Sequence, residues 1–325
     1  MSSAVTSDGR RQRRSGGEQP VVPRAELTSY YGLPVLNAPV WKRTDIAGYL
    51  FLGGLAGASS VLAAGAQLSG RPQLATRSKV VATGAVGLGA VALVHDLGRP
   101  SRFANMLRVL KPSSPMSVGS WLLSAYGPAA GVAAATSVTG RFRRLGAAAT
   151  AGAALLGPLV STYTAALVSD TAVPAWHDGY RELPFVFAGS SATAAGGAGL
   201  LAAPVAQSAP ARRLASIGAA VEFAAARRME RRLGMVAEPY RQGSAGRYMR
   251  AGQGLTAAGL ALAFAGRRSR LLSAVAGAAL AAASASTRFG IFEAGMQSAN
   301  DPRYTVEPQR ERKLARDGRA VPAGR

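Results

Sequence analysis

Residues 46–66 read IAGYLFLGGLAGASSVLAAGA, an unbroken run without a charged side chain. The hydrocarbon core of a bilayer is about 30 Å thick and takes roughly 20 apolar residues to cross as a helix. The run is therefore long enough to span. It is also crowded with Gly, Ala and Ser, which weaken a soluble helix but let membrane helices approach closely, as in Gly53-x-x-x-Gly57. Working outward, runs of the same character recur at 80–94, 118–138, 145–168, 183–206, 248–265 and 271–287, separated by short Arg-rich stretches. A further, shorter run at 214–226, inside 211–233, contains Glu222 and ends in Arg227, Arg228, Arg231 and Arg232. If it crosses, neighbours must shield it while those arginines reach the headgroups. The expected fold class is all-α: a polytopic membrane helix bundle of eight transmembrane helices, or seven should 214–226 not span. Residues 1–40 form a basic N-terminal tail expected to be disordered, 41–299 the membrane domain, and 300–325 a basic C-terminal tail.

Composition agrees and excludes much else. Charged residues are 17% of the 325, against about 25% in a soluble domain, and 48% are hydrophobic. Cysteine is absent, which removes disulfides, thiolate zinc sites, cysteine-held iron–sulfur clusters and a cysteine nucleophile. Two histidines, His95 and His177, leave little room for a multi-His metal site. The net charge of +22 would suggest nucleic acid in a soluble protein. Here the basic residues punctuate membrane runs, so nucleic acid is not expected as a partner. The arginines at 10, 11, 13 and 14 stand too far before the first apolar run for a twin-arginine export signal. Both tails could dock to acidic protein or anionic lipid, or simply set topology as solvated segments. Basic residues are more numerous on the side that holds both termini, an excess that shrinks when only those near the spans are counted. The expectation is a multi-pass protein of the cell (plasma) membrane with both termini cytoplasmic.

In that topology one face collects most of the chemistry. Span 1 enters at Trp41-Lys42-Arg43-Thr44-Asp45, and span 2 leaves through His95-Asp96-Leu97-Gly98-Arg99-Pro100. Span 4 carries Tyr163 and ends at Asp170, before Trp176, His177 and Asp178. Titratable groups at membrane depth are costly and are functional candidates for that reason. A quinone suits the set: its carbonyls need donors such as Tyr, His or Trp, its reduction needs protons from Asp or His, and its tail needs an apolar groove. Each residue also has a plainer reading. Asp96 and Arg99 are spaced for a helix-end salt bridge. Trp41 and Trp121 could be interfacial anchors. Glu222 is either a proton-path carboxylate or a sign that its run does not span, and Glu293 with Arg288 reads as a structural pair.

The stretch His95-Asp96-Leu97-Gly98-Arg99-Pro100, Phe103-x-Asn105-Met106-Leu107-Arg108, Lys111-Pro112-x-Ser114-Pro115-Met116-Ser117-x-Gly119-x-Trp121 resembles the signature of the NrfD/PsrC family. These are membrane subunits of polysulfide reductase-like and formate dehydrogenase-like complexes. Tyr49-Leu50-Phe51-Leu52-Gly53-Gly54, Tyr163-Thr164, Val173-Pro174-x-Trp176 and Leu183-Pro184 with Phe187 also fit its pattern. The resemblance implies eight helices and a pocket for a quinone (menaquinone or ubiquinone) as bound substrate, with no metal or haem in this chain. It implies electron exchange with a separate four-cluster iron–sulfur protein, itself joined to a molybdopterin catalytic subunit. On this reading the chain is not catalytic alone. The matched quinone-binding positions are His95, Tyr163, Arg99, Ser117 and Trp121. Asp96, Asp45 and Asp170 are the proton-relay candidates, Asp45 standing where the family's first span supplies polar ligands.

Two other classes stay open from the sequence. A proton-coupled transporter is compatible with the Pro-interrupted spans (Pro128, Pro158), although matched broken helices in two halves are not evident. A haem protein would use His95 and His177 as axial ligands, one at a helix end and one in a loop.

Overall fold

The computed structural model describes residues 35–37, 39–98 and 101–320. Within them the chain forms α1 (Arg43–Leu68), α2 (Pro72–Leu97), α3 (Ser101–Met106), α4 (Pro115–Thr139), α5 (Arg143–Ser169), α6 (Pro174–His177), α7 (Leu183–Ala202), α8 (Ala209–Leu233), α9 (Glu238–Arg241), α10 (Gly243–Ala265), α11 (Arg270–Asn300) and α12 (Arg303–Ala320). The all-α polytopic bundle expected from the apolar runs is the observed fold, with no strand among the described residues. Each of the eight runs lies on a helix of 20 residues or more. Five of these, α1, α2, α5, α7 and α11, are apolar enough over their length to cross a membrane by composition alone. The other three are diluted by Ser, Thr and Gly in α4 and by arginines in α8 and α10. The N-terminal tail falls outside the described residues up to position 34.

Consecutive helices pair as antiparallel hairpins: α1 with α2, α4 with α5, α7 with α8, and α10 with α11. α1 and α7 run through the middle, α1 meeting α5, α7 and α11 besides its own partner. In the most apolar stretch of α1 and of α7, 72% is buried inside the bundle, against 17% for α2, whose outward residues are left for lipid. The close crossings rest on glycine. A methyl on Gly57 would strike the Gly157 carbonyl across the α1–α5 contact, and one on Gly157 would strike that of Gly57. Gly197 and Gly277 do the same between α7 and α11. In the Gly53-x-x-x-Gly57 pair only Gly57 sits at a crossing; Gly53 faces open space, and Gly54 instead makes room for Ser191 and Arg288.

α8 continues over 25 residues, and its Glu222 is buried rather than facing lipid, which is the shielding that a charged span requires. The arginines at its end do not all reach outward: Arg232 donates to Glu182 at 2.9 and 3.0 Å and also to the Asp178 carbonyl. Burial of the Glu182 carboxylate works against its charge, but the Arg232 guanidinium more than compensates and holds it below the usual carboxylate range. The C-terminal stretch is helical, with Tyr304 buried and its hydroxyl donating to Glu238 at 3.2 Å. The start of that segment is therefore docked onto the bundle end.

Candidate functional site

At the end of the bundle where α1 and α4 begin and α2 and α5 finish, a cleft of about 660 Å³, counting its open mouth, opens between the four helices. Local sequence explains why these ends meet. Gly98 adopts a left-handed conformation (φ 71°) that stops α2 immediately after His95 and Asp96. Ser114 caps α4 by accepting the Ser117 N–H, and Pro115 takes the first helical position, where a missing N–H costs nothing. Between them α3 brings Met106 to the cleft wall.

The cleft is apolar along its sides, with Ile46, Leu93, Leu123 and Leu167, and carries few polar groups. Tyr163 enters from α5, its ring occupying the space that a side chain at Gly119 would fill. Tyr49 enters from α1 and meets the Tyr163 ring edge-on, centroids 6.5 Å apart. The Tyr49 hydroxyl is buried and has no hydrogen-bond partner among the described residues. Asp96 reaches the cleft from α2 and accepts the backbone N–H of Lys42 at 3.0 Å, which ties α2 to the start of α1. Trp41 forms part of the wall and stacks on Trp176 at 5.7 Å. Trp176 is itself fixed, fully buried, with its Nε1–H donating to the Ile291 carbonyl at 2.7 Å.

Of the residues picked from sequence, Tyr163 and Asp96 line this cleft. His95 points away from it and into a shallow groove with Lys42 and Val91. Its Nδ1 lies 2.6 Å from the Asp45 carboxylate, so a candidate for quinone binding and one for proton relay form a pair beside the cleft. Ser117 is engaged locally: its Oγ accepts the Lys111 N–H at 3.0 Å and donates to the Val109 carbonyl at 3.1 Å, clasping the turn before α4. Trp121 is 42% exposed on the bundle's surface, in the manner of an anchor. Asp170 caps the end of α5 and is exposed. Arg99 lies outside the described residues, so the expected pairing with Asp96 does too. His177 is held elsewhere, Nδ1 at 3.1 Å from the Ser169 carbonyl.

Sequence reasoning had not assigned Tyr49, Met106, Met116 or Ser120 to the site. Tyr49 carried a usable signal: it stands four residues after Asp45, on the same face of α1. The thioethers and Ser120 carried none that separates them from core or lipid-facing residues. Ser120 donates to the Met116 carbonyl at 2.9 Å.

A second polar cluster sits at mid-depth between α7, α8 and α11. Glu222 accepts from Thr287 at 2.8 Å through one carboxylate oxygen, and the other has no partner among the described residues. Arg288 is wholly buried, donates to the Phe187 carbonyl at 2.7 Å and to Ser191 at 2.8 Å, and lies 3.7 Å over the Phe187 ring. The expected Glu293–Arg288 pair is not formed. Glu293 pairs with Arg43 at 2.9 Å and accepts from Ser244 at 3.0 Å, because it lies about one and a half turns nearer the helix end where α1 enters.

Among curated proteins no match to the sequence is found. A family profile described as "Polysulphide reductase, NrfD" does match, over residues 34–227, from the entry to α1 nearly to the end of α8 and across the whole cleft. The match covers more than half of the chain, and the chain belongs to the NrfD family.

Proposed function

We propose that the chain is the quinone-handling electron-transfer subunit of a membrane oxidoreductase complex, spanning the membrane eight times. The observation that carries the proposal is the cleft: apolar walls open at one end, and two tyrosines converging inside, the Tyr49 hydroxyl buried and without a partner among the described residues. A buried donor without an acceptor costs about 1–3 kcal/mol, a cost offset when a ligand carbonyl fills the place. A quinone ring fits this donor set, and its apolar tail fits the leucine-lined sides. When bound it supplies two-electron redox chemistry.

This chain's residues then have separate tasks. Tyr49 and Tyr163 donate to the oxygens on which negative charge builds during reduction, the preorganised stabilisation that lowers such barriers. Asp96, with one oxygen held by the Lys42 N–H, exchanges a proton within the cleft. The His95–Asp45 pair, next along the chain from Asp96 and more exposed, passes protons between that end of the bundle and water. Trp41 and the methionines close the mouth against solvent. The electrons come from or go to a four-cluster iron–sulfur protein seated over this end of the bundle, joined in turn to a molybdopterin subunit of formate dehydrogenase or polysulfide reductase type. The Arg-rich inner connections favour an acidic partner. The complex lies in the plasma membrane with both termini of this chain inside.

The decisive experiment is purification of the tagged chain from its native membranes in mild detergent. Co-purification of a cysteine-rich iron–sulfur protein and a molybdopterin subunit, with quinone-linked turnover reduced in Tyr163→Phe and His95→Ala, is the expected result. Recovery of the chain alone, active in proton-coupled uptake by vesicles, would replace this reading with transport.

A further inference from the structure

The far end of the bundle, at connections 69–71, 140–142, 203–208 and 266–269, has a different charge pattern. Every charged side chain there is Lys or Arg, and among the described residues all the carboxylates belong to the cleft end or, as Glu222, to mid-depth. Several of these cations have structural work. Arg77 donates to the Ala202 carbonyl, and Arg270 donates to the carbonyls of Leu200, at 2.8 Å, and Leu201, so both cap the end of α7.

Lys79 does not fit that pattern. It is buried to 6% exposure on α2, and its Nζ donates to Gln67 at 2.6 Å and Ser137 at 2.8 Å. Neither partner is charged, and no carboxylate lies within ion-pair distance among the described residues. The two hydrogen bonds hold the ammonium in place without neutralising it. Above it opens a pocket of about 840 Å³, counting its mouth, between the ends of α1 and α4 and the starts of α2 and α5. Its lining is mixed, and the polar side includes Thr76, Ser137 and Arg143.

A third positive contribution comes from the backbone. The first turn of α5, from Arg143 to Gly146, lines the pocket, and its N-cap Phe142 (φ 54°) offers no side-chain acceptor to the helix's free N–H groups. An uncapped helix start beside a fixed ammonium and an exposed guanidinium is complementary to an anion with several oxygens. A buried cation without a counter-charge is otherwise costly.

We propose that this pocket is an oxyanion site, with Lys79 as its floor and Arg143 at its rim, and that its ligand is a phosphate group. The group is carried by a membrane phospholipid or is free in solution; the chemistry recognised is the same.

Thermal unfolding of the full chain in maltoside micelles, which contain no phosphate, tests the site and separates the sources. Titration with inorganic phosphate at constant ionic strength, and separately with phosphatidylglycerol, is expected to raise the midpoint saturably in at least one series. Saturation by lipid at micromolar levels, with phosphate acting only at high millimolar levels, assigns a headgroup. The reverse order assigns a free anion. Lys79→Met is expected to abolish the shift, and Arg143→Gln to weaken binding by about fivefold. Arg143 is exposed, so its variant folds and carries the test even if Lys79→Met does not. Absence of a saturable shift in the wild type, or an undiminished one in Arg143→Gln, overturns the proposal.

Discussion

The two pockets, at opposite ends of the bundle, are built on the same four helices and serve different needs. At the cleft end, carboxylates and cations alternate, and the Tyr49 hydroxyl facing the cavity has no hydrogen-bond partner among the described residues. At the far end there is no carboxylate among the described residues, and Arg77 and Arg270 cap the carbonyls that end α7. Groups that can give and take protons are concentrated where α2 stops and α4 starts. The comparison teaches that a membrane helix carries little information in its apolar middle. Its assignment is written in the turn where it meets the surface.

The strongest way to break the comparison is to fill the cleft from behind. Gly119→Val places a side chain where the Tyr163 ring lies. The ring must move, and a displacement of about 1 Å is enough to cost roughly a hundredfold in rate. Quinone-linked turnover of the assembled complex is expected to fall by that factor, while phosphate- or lipid-dependent stabilisation at the far end stays as in the wild type. Loss of both together would mean that the two ends are not independent.

A smaller and sharper effect is expected from Tyr49→Phe. Removing an unpartnered buried hydroxyl relieves the cost of burying it, so thermal stability should hold or rise by about 1 kcal/mol. Quinone-linked turnover should fall by about tenfold, since one donor to the developing charge is gone. A stability loss instead would show that the hydroxyl is satisfied, and the cleft would lose its best support.

Ser117→Ala tests the part of the signature that clasps the turn before α4. Its Oγ bridges the Lys111 N–H and the Val109 carbonyl. Loss of both bonds is expected to cost about 1–2 kcal/mol locally, visible as faster hydrogen exchange in the turn before α4. Turnover should change less than in Tyr49→Phe. A larger kinetic than structural effect would restore Ser117 to the site.

The bundle itself was legible because membrane burial imposes one rule, a run of about 20 apolar residues, and five of the eight long helices obey it by composition alone. The run 214–226 was ambiguous for a physical reason: Glu222 and four arginines violate the rule along the chain and are reconciled only by neighbours that sequence does not name. The candidate site was half legible: of the residues named from sequence, Tyr163, which lies too deep for an anchor, and Asp96, near the end of a helix, line the cleft. His95 and Asp96 were named together from one motif, yet adjacent residues lie about 100° apart around a helix axis, and the His95 ring turns to Asp45. Glu293 was assigned to Arg288 from spacing along one helix, when the nearer partner came from α1. Lys79 looked like one more basic residue at the edge of a span, because nothing along the chain tells that Gln67 and Ser137 converge on it.

The mildest test concerns how the cleft end is held together rather than what it does. Glu182 joins the start of α7 to the end of α8 through Arg232, with Arg228 at 3.6 Å adding charge. Arg232 holds the carboxyl below its ordinary value of 4.5, so the folded protein binds this proton less readily than the unfolded chain. The stabilisation is therefore complete above about pH 4.5 and fades as the pH falls through the lowered folded value. Arg232 is partly open to solvent, which limits the effect to the order of 1 kcal/mol. Thermal midpoints measured from pH 7 down to pH 3 should accordingly fall less in Glu182→Gln than in the wild type, with the variant the less stable of the two at pH 7. If the two profiles run parallel, the ion pair contributes nothing, and packing alone joins α7 to α8.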